Sequence, residues 1–258
     1  MELIKKSVQL SWKNLILIVP FLIEAALGIA GVVIGFILLL LFGFLTFESL
    51  EDNFSNLVLP IFIFLILFIV GYYLIHSFVL SGTLGMIKDV LEGKEVKMSA
   101  FFAYGKQYVW KAFLIQFITN LLVLILSVPI YMFYMGNRIP AWDGSTFPIG
   151  VVVSFVLYLL VSAVLTLVGQ FSILAVIRDE TSVGKAIKIS FKVMTKGVVD
   201  CFVLLGIGIL LLIPLVIVFI VLNLIPVVGS FAFMAVQYFC MVVLLVWTVL
   251  FYDKYKNY

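Results

Sequence analysis

The sequence predicts an all-α polytopic integral membrane protein, and three observations lead to this fold class. First, 65% of the 258 residues are hydrophobic and 11% are charged, whereas a soluble domain carries roughly a quarter charged residues. Second, the mean hydropathy is +1.32, and the apolar residues form runs long enough to cross a bilayer of about 30 Å. Third, all of the 16 lysines and arginines except Arg138 fall on the side that would hold both termini and the two long connectors.

Six apolar runs are predicted to span the membrane. They cover about 15–44, 57–86, 112–135, 148–177, 197–222 and 231–252. Because positively charged short loops resist translocation, the charge distribution places both termini in the cytoplasm. We therefore expect a multi-pass protein of the cell membrane, built as a single membrane domain over residues 1–258.

A basic segment precedes the fifth run. It carries four lysines at spacings of three, four and four residues, Lys185, Lys188, Lys192 and Lys196. This spacing puts the lysines on one face of a helix and leaves apolar residues on much of the rest. The pattern is typical of an amphipathic helix lying in the membrane interface. Looser copies, which end at Lys13 and Lys111, precede the first and third runs.

These copies indicate a threefold internal repeat, with units of about 1–90, 97–180 and 181–258. Superposing the three lysines that end the basic segments aligns small residues six positions earlier, Ser7, Gly105 and Ser190. Eighteen positions later it aligns weak helix formers, Gly31, Pro129 and Pro214. We expect three parallel hairpins, each preceded by an interfacial helix, around an axis along the membrane normal. The alternative is coincidence, since Lys and Trp cluster at interfaces in any membrane protein.

Two ionisable residues inside the runs are candidates for function. A charge at the centre of a span costs about 2.5–3.5 kcal/mol on insertion scales, so Glu24 should face other helices or water. It is either a proton carrier or ligand contact, or a neutral carboxyl that joins two helices. His76 is the chain's only histidine and has no companion at metal-ligand spacing, which favours a packed, hydrogen-bonded side chain over an active one.

Amides within the runs extend this candidate polar site. Those in the third and fourth runs are Gln116, Asn120 and Gln170. Each amide can join two helices by a hydrogen bond worth about 0.6–2 kcal/mol, or can line a path for a solute. The sequence leaves both readings open.

The motifs in the sequence favour a protein without catalytic activity. The sequence contains no phosphate-binding glycine loop, HExxH pair, GxSxG elbow or paired-cysteine site. The loops are too short to hold a soluble catalytic domain. We therefore expect no catalytic residues, no metal and no cofactor, and the placement of the charges does not suggest nucleic acid as a partner.

The basic segments suggest membrane lipids as partners. Lysines at one leaflet attract anionic lipid heads by about 1 kcal/mol per charge. The candidate headgroup contacts are Lys13, Lys111, Lys185, Lys188, Lys192 and Lys196. The alternative is that these lysines only anchor and orient the chain. A protein partner at this cytoplasmic rim is also compatible with the pattern.

The connector IRDETSVGKAIKISFKVMTKGVV resembles a recurring segment of one family group, and residues 87–112 echo it. The group comprises uncharacterised prokaryotic six-span membrane proteins similar to the membrane domain of some glycerophosphoryl diester phosphodiesterases. The resemblance implies a six-span topology. Since this sequence lacks the soluble phosphodiesterase domain, the resemblance implies no hydrolytic activity.

Two functions remain after these exclusions. The leading hypothesis is a binding or scaffold module that contacts lipids or partner proteins at the cytoplasmic rim. The alternative is a small transporter or channel with an intramembrane polar path that includes Glu24. The two differ in one expectation: transport requires Glu24, His76 and several amides to converge on a cavity, whereas a scaffold does not.

Overall fold

The computed structural model describes residues 2–46, 54–136, 149–203, 206, 210 and 228–256. This part of the chain consists of helices joined by short connectors such as 92–97 and 180–182. The helices are α1 (Glu2–Lys13), a 3-10 turn (Leu15–Ile18), α2 (Val19–Thr46), α3 (Phe54–Leu91), α4 (Met98–Gly136), α5 (Ile149–Asp179), α6 (Val183–Lys196) and α7 (Val228–Lys256). A further helical stretch covers residues 198–203. The all-α prediction is confirmed for these residues.

Five candidate membrane spans are present among the described residues. They are Leu15–Leu38, Phe62–Leu91, Met98–Pro129, Val153–Asp179 and Phe233–Lys256. These match the predicted runs one to four and six. The fifth predicted run, 197–222, lies largely outside the described residues, as do Arg138 and Pro214. By length and composition, the five helices fit a polytopic membrane protein.

The second basic segment differs from the prediction, because it and the third run form one continuous helix, α4. The other two basic segments do end before their runs. Helix α1 ends before Asn14, which has φ −126° and ψ 58°, and α6 ends before Gly197, which has φ −103° and ψ 24°. The sequence Ala-Phe-Leu that follows Lys111 contains only residues that helices accept, so nothing there ends α4.

The core is concentrated toward the end of the bundle that contains Asp89, Arg178 and Asp253, called the charged end below. Helices α3, α5 and α7 contact one another pairwise. Their fully buried side chains include Met86, Ile87, Ile173, Val176, Val249 and Phe251. Farther along the helices, large apolar side chains are exposed, with Leu67 at 65% and Leu124 at 61%. Such a surface suits hydrocarbon rather than water.

Each lysine-bearing helix has its most extensive contact with a different central helix: α1 with α7, α4 with α3, and α6 with α5. Helix α4 also packs against α5, and α6 also contacts α7. Three contacts illustrate the pairings: the rings of Trp12 and Phe239 at 5.7 Å, the rings of Phe78 and Phe101 at 5.4 Å, and the hydroxyls of Ser172 and Ser190 at 2.9 Å. The lysine-bearing helices therefore surround the central three.

Glycine allows α3 and α4 to approach closely. A Cβ atom at Gly82 would lie 2.7 Å from the carbonyl oxygen of Phe101, and one at Gly105 would lie 2.7 Å from the ring of Phe78. Real Cβ contacts are longer than this, so a larger residue would force the helices apart. The positions aligned with Gly105 in α1 and α6 are also small and buried, Ser7 and Ser190.

Candidate functional site

Glu24 and His76 form a pair between α2 and α3. The Nδ1 atom of His76 lies 2.6 Å from Oε1 of Glu24, although 52 residues separate them in the chain. The side chains are 30% exposed for His76 and 14% exposed for Glu24. A distance of this size between an imidazole nitrogen and a carboxyl oxygen is that of a short hydrogen bond. The described residues contain no third His, Cys, Asp or Glu that would complete a metal site with this pair.

An aromatic side chain orients the imidazole. The ring of Tyr72 stacks on that of His76, with centroids 6.2 Å apart and planes 9° from parallel. The two residues are four apart on α3, so they share one helix face. Stacking on one side and the Glu24 carboxyl at Nδ1 together restrict how the imidazole can turn, which leaves its Nε2 edge for another partner.

His76 lines a cavity of about 270 Å³ between α3, α4 and α5. The walls are formed by Tyr72, Tyr73, His76, Leu80, Gln116, Thr119, Asn120, Thr166, Gly169, Gln170 and Ile173. All of these residues lie within the candidate spans. The space is large enough for several water molecules or a small polar group. Four of the five residues of the predicted polar site line this cavity, and the fifth, Glu24, is bonded to one of them.

The cavity amides differ in how they are held. Gln116 is nearly buried, and its Oε1 accepts a hydrogen bond from the Ser77 hydroxyl at 2.8 Å, which fixes the amide. Among the described residues, the amides of Asn120 and Gln170 have no hydrogen-bond partner. Asn120 is exposed and Gln170 is partly exposed at the cavity wall. An unpaired amide within a membrane span gains free energy from a hydrogen-bond partner, so these two are suited to bind water or a ligand.

Several cavity residues were not predicted from the sequence: Tyr72, Tyr73, Thr119 and Thr166. Their spacing carries a signal nevertheless. Tyr72 lies four positions before His76, and Thr166 lies four positions before Gln170, so each pair shares a helix face. Polar residues four apart within a run therefore mark Tyr72 and Thr166 as neighbours of the predicted site.

The charged end is a separate cluster that joins helices. Arg178 on α5 donates two hydrogen bonds to Asp253 on α7, from Nε at 3.0 Å and from Nη2 at 2.6 Å. Tyr252 donates to Asp179 at 2.7 Å, which joins the same two helices again. In the connector after α3, a hydrogen bond from Lys94 lowers the pKa of the Glu92 carboxyl below its usual value. Because these hydrogen bonds join parts of the same chain, the cluster has a structural role.

None of the six candidate headgroup lysines lines the cavity, and all are exposed. On α6 the exposed lysines are opposite three buried residues, Ala186, Ser190 and Val193. Near the end of α6, Asp200 accepts hydrogen bonds from Tyr255 at 2.6 Å and from Lys254 at 3.0 Å. The polar site and the lysine-bearing rim are therefore two distinct regions.

No protein-family model matches this chain, and no curated protein or solved structure matches it. The class of protein is therefore defined by its fold and site. The described residues form an all-α structure with five candidate membrane spans and a polar cavity among three of them.

Proposed function

We propose that this protein is a membrane transporter that binds a small polar group in the cavity between α3, α4 and α5. The observation that carries this proposal is the convergence of His76, Gln116, Asn120 and Gln170 on one cavity, with Glu24 bonded to His76. Amides that served only to join helices would be dispersed, each with its own partner. This favours transport over the scaffold function.

The residues of the site have complementary roles in this proposal. The amides of Asn120 and Gln170 offer both donors and acceptors to a bound polar group. The imidazole of His76 is held by Glu24 at Nδ1 and lines the same cavity, so its second nitrogen can hydrogen-bond to the bound group.

Cysteine labelling tests whether the cavity contains water. In a background with Cys201 and Cys240 replaced by Ala, Asn120→Cys should react with a water-soluble thiosulfonate reagent in proteoliposomes. Leu114→Cys is the control, because Leu114 is on the same helix, is 45% exposed and lies nearer the charged end. If reactivity depended only on depth in the membrane, Leu114→Cys would react faster than Asn120→Cys. We expect the reverse, and equal failure of both to react would contradict the proposal.

We also infer that the chain crosses the cell membrane six times, as three parallel hairpins with both termini in the cytoplasm. The charge distribution of the sequence supports the orientation. The packing of one lysine-bearing helix on each of α3, α5 and α7 supports the threefold arrangement. The similarity to the membrane domain of glycerophosphoryl diester phosphodiesterases stays a prediction, and the function proposed here is non-enzymatic.

A second candidate function is binding of anionic lipid or a protein partner at the rim. It is favoured by α6, where four lysines are exposed opposite a buried face. Replacing Lys185, Lys188 and Lys192 together by Gln should reduce the number of anionic lipids that remain bound, as counted by native mass spectrometry. If the number of bound anionic lipids did not change, these lysines would serve only to anchor the chain.

A further inference from the structure

A second space adjoins the polar cavity. It is a groove of about 230 Å³ between α3 and α4, walled by Ile69, Val70, Tyr73, Phe113, Phe117, Asn120, Leu121 and Leu124. Apart from Asn120 and the Tyr73 hydroxyl, every side chain in these walls is apolar. Tyr73 and Asn120 line both spaces, so the groove and the cavity meet at these two residues.

The groove is on the outer surface of the bundle. Ile69 is 50% exposed, Phe117 is 55% exposed and Leu124 is 61% exposed. In a membrane these side chains face hydrocarbon, because water is absent at that depth. From Phe113 to Leu124 the groove follows α4 for about 16 Å at about 1.5 Å per residue. The groove is therefore an elongated apolar surface that leads from the lipid to the polar cavity.

We propose that the ligand of the polar cavity is a membrane amphiphile with an uncharged, hydrogen-bonding head. Its head occupies the cavity, one acyl chain lies in the groove, and the junction between them lies at Tyr73 and Asn120. The ligand enters sideways from the bilayer. This inference rests on the proposed function, because it names the kind of substrate that the same cavity takes.

The chemistry of the walls selects the head. Among the described residues, neither space is lined by Lys or Arg, so nothing there balances the charge of a phosphate. Glu24, which is bonded to the cavity residue His76, would as a carboxylate repel an anionic head. Amides, threonine hydroxyls and an imidazole match hydroxyl or amide groups on the head. An acyl chain in the groove meets the same apolar surroundings as in the bilayer, so selectivity comes from the head.

Native mass spectrometry of the purified protein, with monododecanoylglycerol as the probe, tests this inference. We expect one bound molecule per chain. Leu121→Trp fills the groove and Gln170→Leu removes a head contact, so each should weaken binding about tenfold. The control is Leu126→Trp, which adds the same bulk on α4 at a residue that is 46% exposed and outside the groove. Equal binding by all variants would overturn the inference.

Two measurements on the unaltered chain keep the test independent of whether the variants fold. Affinity for monoacylglycerols should rise with chain length and then level off once the groove is filled. A rise that continues unchanged, as in simple partitioning, would overturn the inference. Dodecyl phosphate should bind more weakly than monododecanoylglycerol, and tighter binding would overturn the choice of head.

The outcome also separates this inference from the proposed function. If monoacylglycerols do not bind but Asn120→Cys still reacts with the water-soluble reagent, the proposed ligand is wrong. The proposal of a water-accessible polar cavity is then retained. If Asn120→Cys is also unreactive, both proposals fail.

Discussion

His76 lies with its Nδ1 atom 2.6 Å from the Glu24 carboxyl, so the only histidine of the chain is bonded to the acid in the first predicted span. The bond joins two helices at a place where most other side chains are apolar. It makes each residue dependent on the other, since a lone carboxylate or imidazolium at this depth would lack a partner.

Replacing Glu24 by Gln should therefore be visible at the histidine. Because the chain contains one His, the imidazole ¹⁵N resonances of labelled protein need no assignment. We expect the Nδ1 resonance to move in Glu24→Gln, whereas Glu2→Gln, an exposed acid on α1, should leave it in place. A double-mutant cycle with His76→Gln should give a coupling of about 0.5–3 kcal/mol. An unmoved resonance in Glu24→Gln would contradict the bond.

The close contact between α3 and α4 predicts a large difference between two glycines on α3. Gly82→Ala should lower the free energy of unfolding in detergent by about 1–3 kcal/mol, because its Cβ would press on the Phe101 carbonyl. Gly71 has nothing within 4 Å of an added Cβ, so Gly71→Ala should be neutral or stabilise by up to about 1 kcal/mol. Equal effects of the two substitutions would mean that the helices are not in contact at Gly82.

The two hydrogen bonds between Arg178 and Asp253 should contribute measurably to stability. The side chains are 19% and 31% exposed, so Asp253→Asn should cost about 1–3 kcal/mol by leaving a guanidinium poorly paired. Glu95→Gln is the control, because the Lys97–Glu95 pair is 63% and 80% exposed and should contribute less than about 1 kcal/mol. Chemical denaturation in detergent measures both. A larger loss in the control would contradict this role of the charged end.

The inferred topology predicts opposite accessibility for two introduced cysteines. In the background without Cys201 and Cys240, Ser49→Cys should react with an impermeant thiol reagent added to intact cells. Ser182→Cys, at an exposed position before α6, should react only after the membrane is permeabilised. Labelling of both residues from outside would rule out the six-span arrangement.

Most residues of the polar site could be predicted from the sequence, but the hydrogen bond between Glu24 and His76 could not. A charge or an amide in an apolar run is conspicuous by itself, so Glu24, His76, Gln116, Asn120 and Gln170 could be selected one by one. The pairing of Glu24 with His76 depends on how α2 is set beside α3. Local spacing carries no information on this, and the search for a partner on the helix of His76 itself could not find Glu24.

The boundaries of α4 show a second limit of sequence reasoning. Three similar basic segments suggested three separate interfacial helices, and only two are separate. The distinction lies in the residue after the segment: Asn14 and Gly197 tolerate a break, whereas Ala112 does not favour one. The partner of Arg178 is likewise not predictable from the sequence, since it depends on the order of α3, α5 and α7 around the core.

The continuity of α4 has a mechanical consequence. Lys106, near its exposed end, and Asn120, in the cavity, are about 21 Å apart along one unbroken axis at about 1.5 Å per residue. Pro129, where the helix could kink, lies beyond both. No break in the helix separates its lysine-bearing end from the cavity. A rotation of that end about the helix axis would therefore also rotate the amides of Gln116 and Asn120.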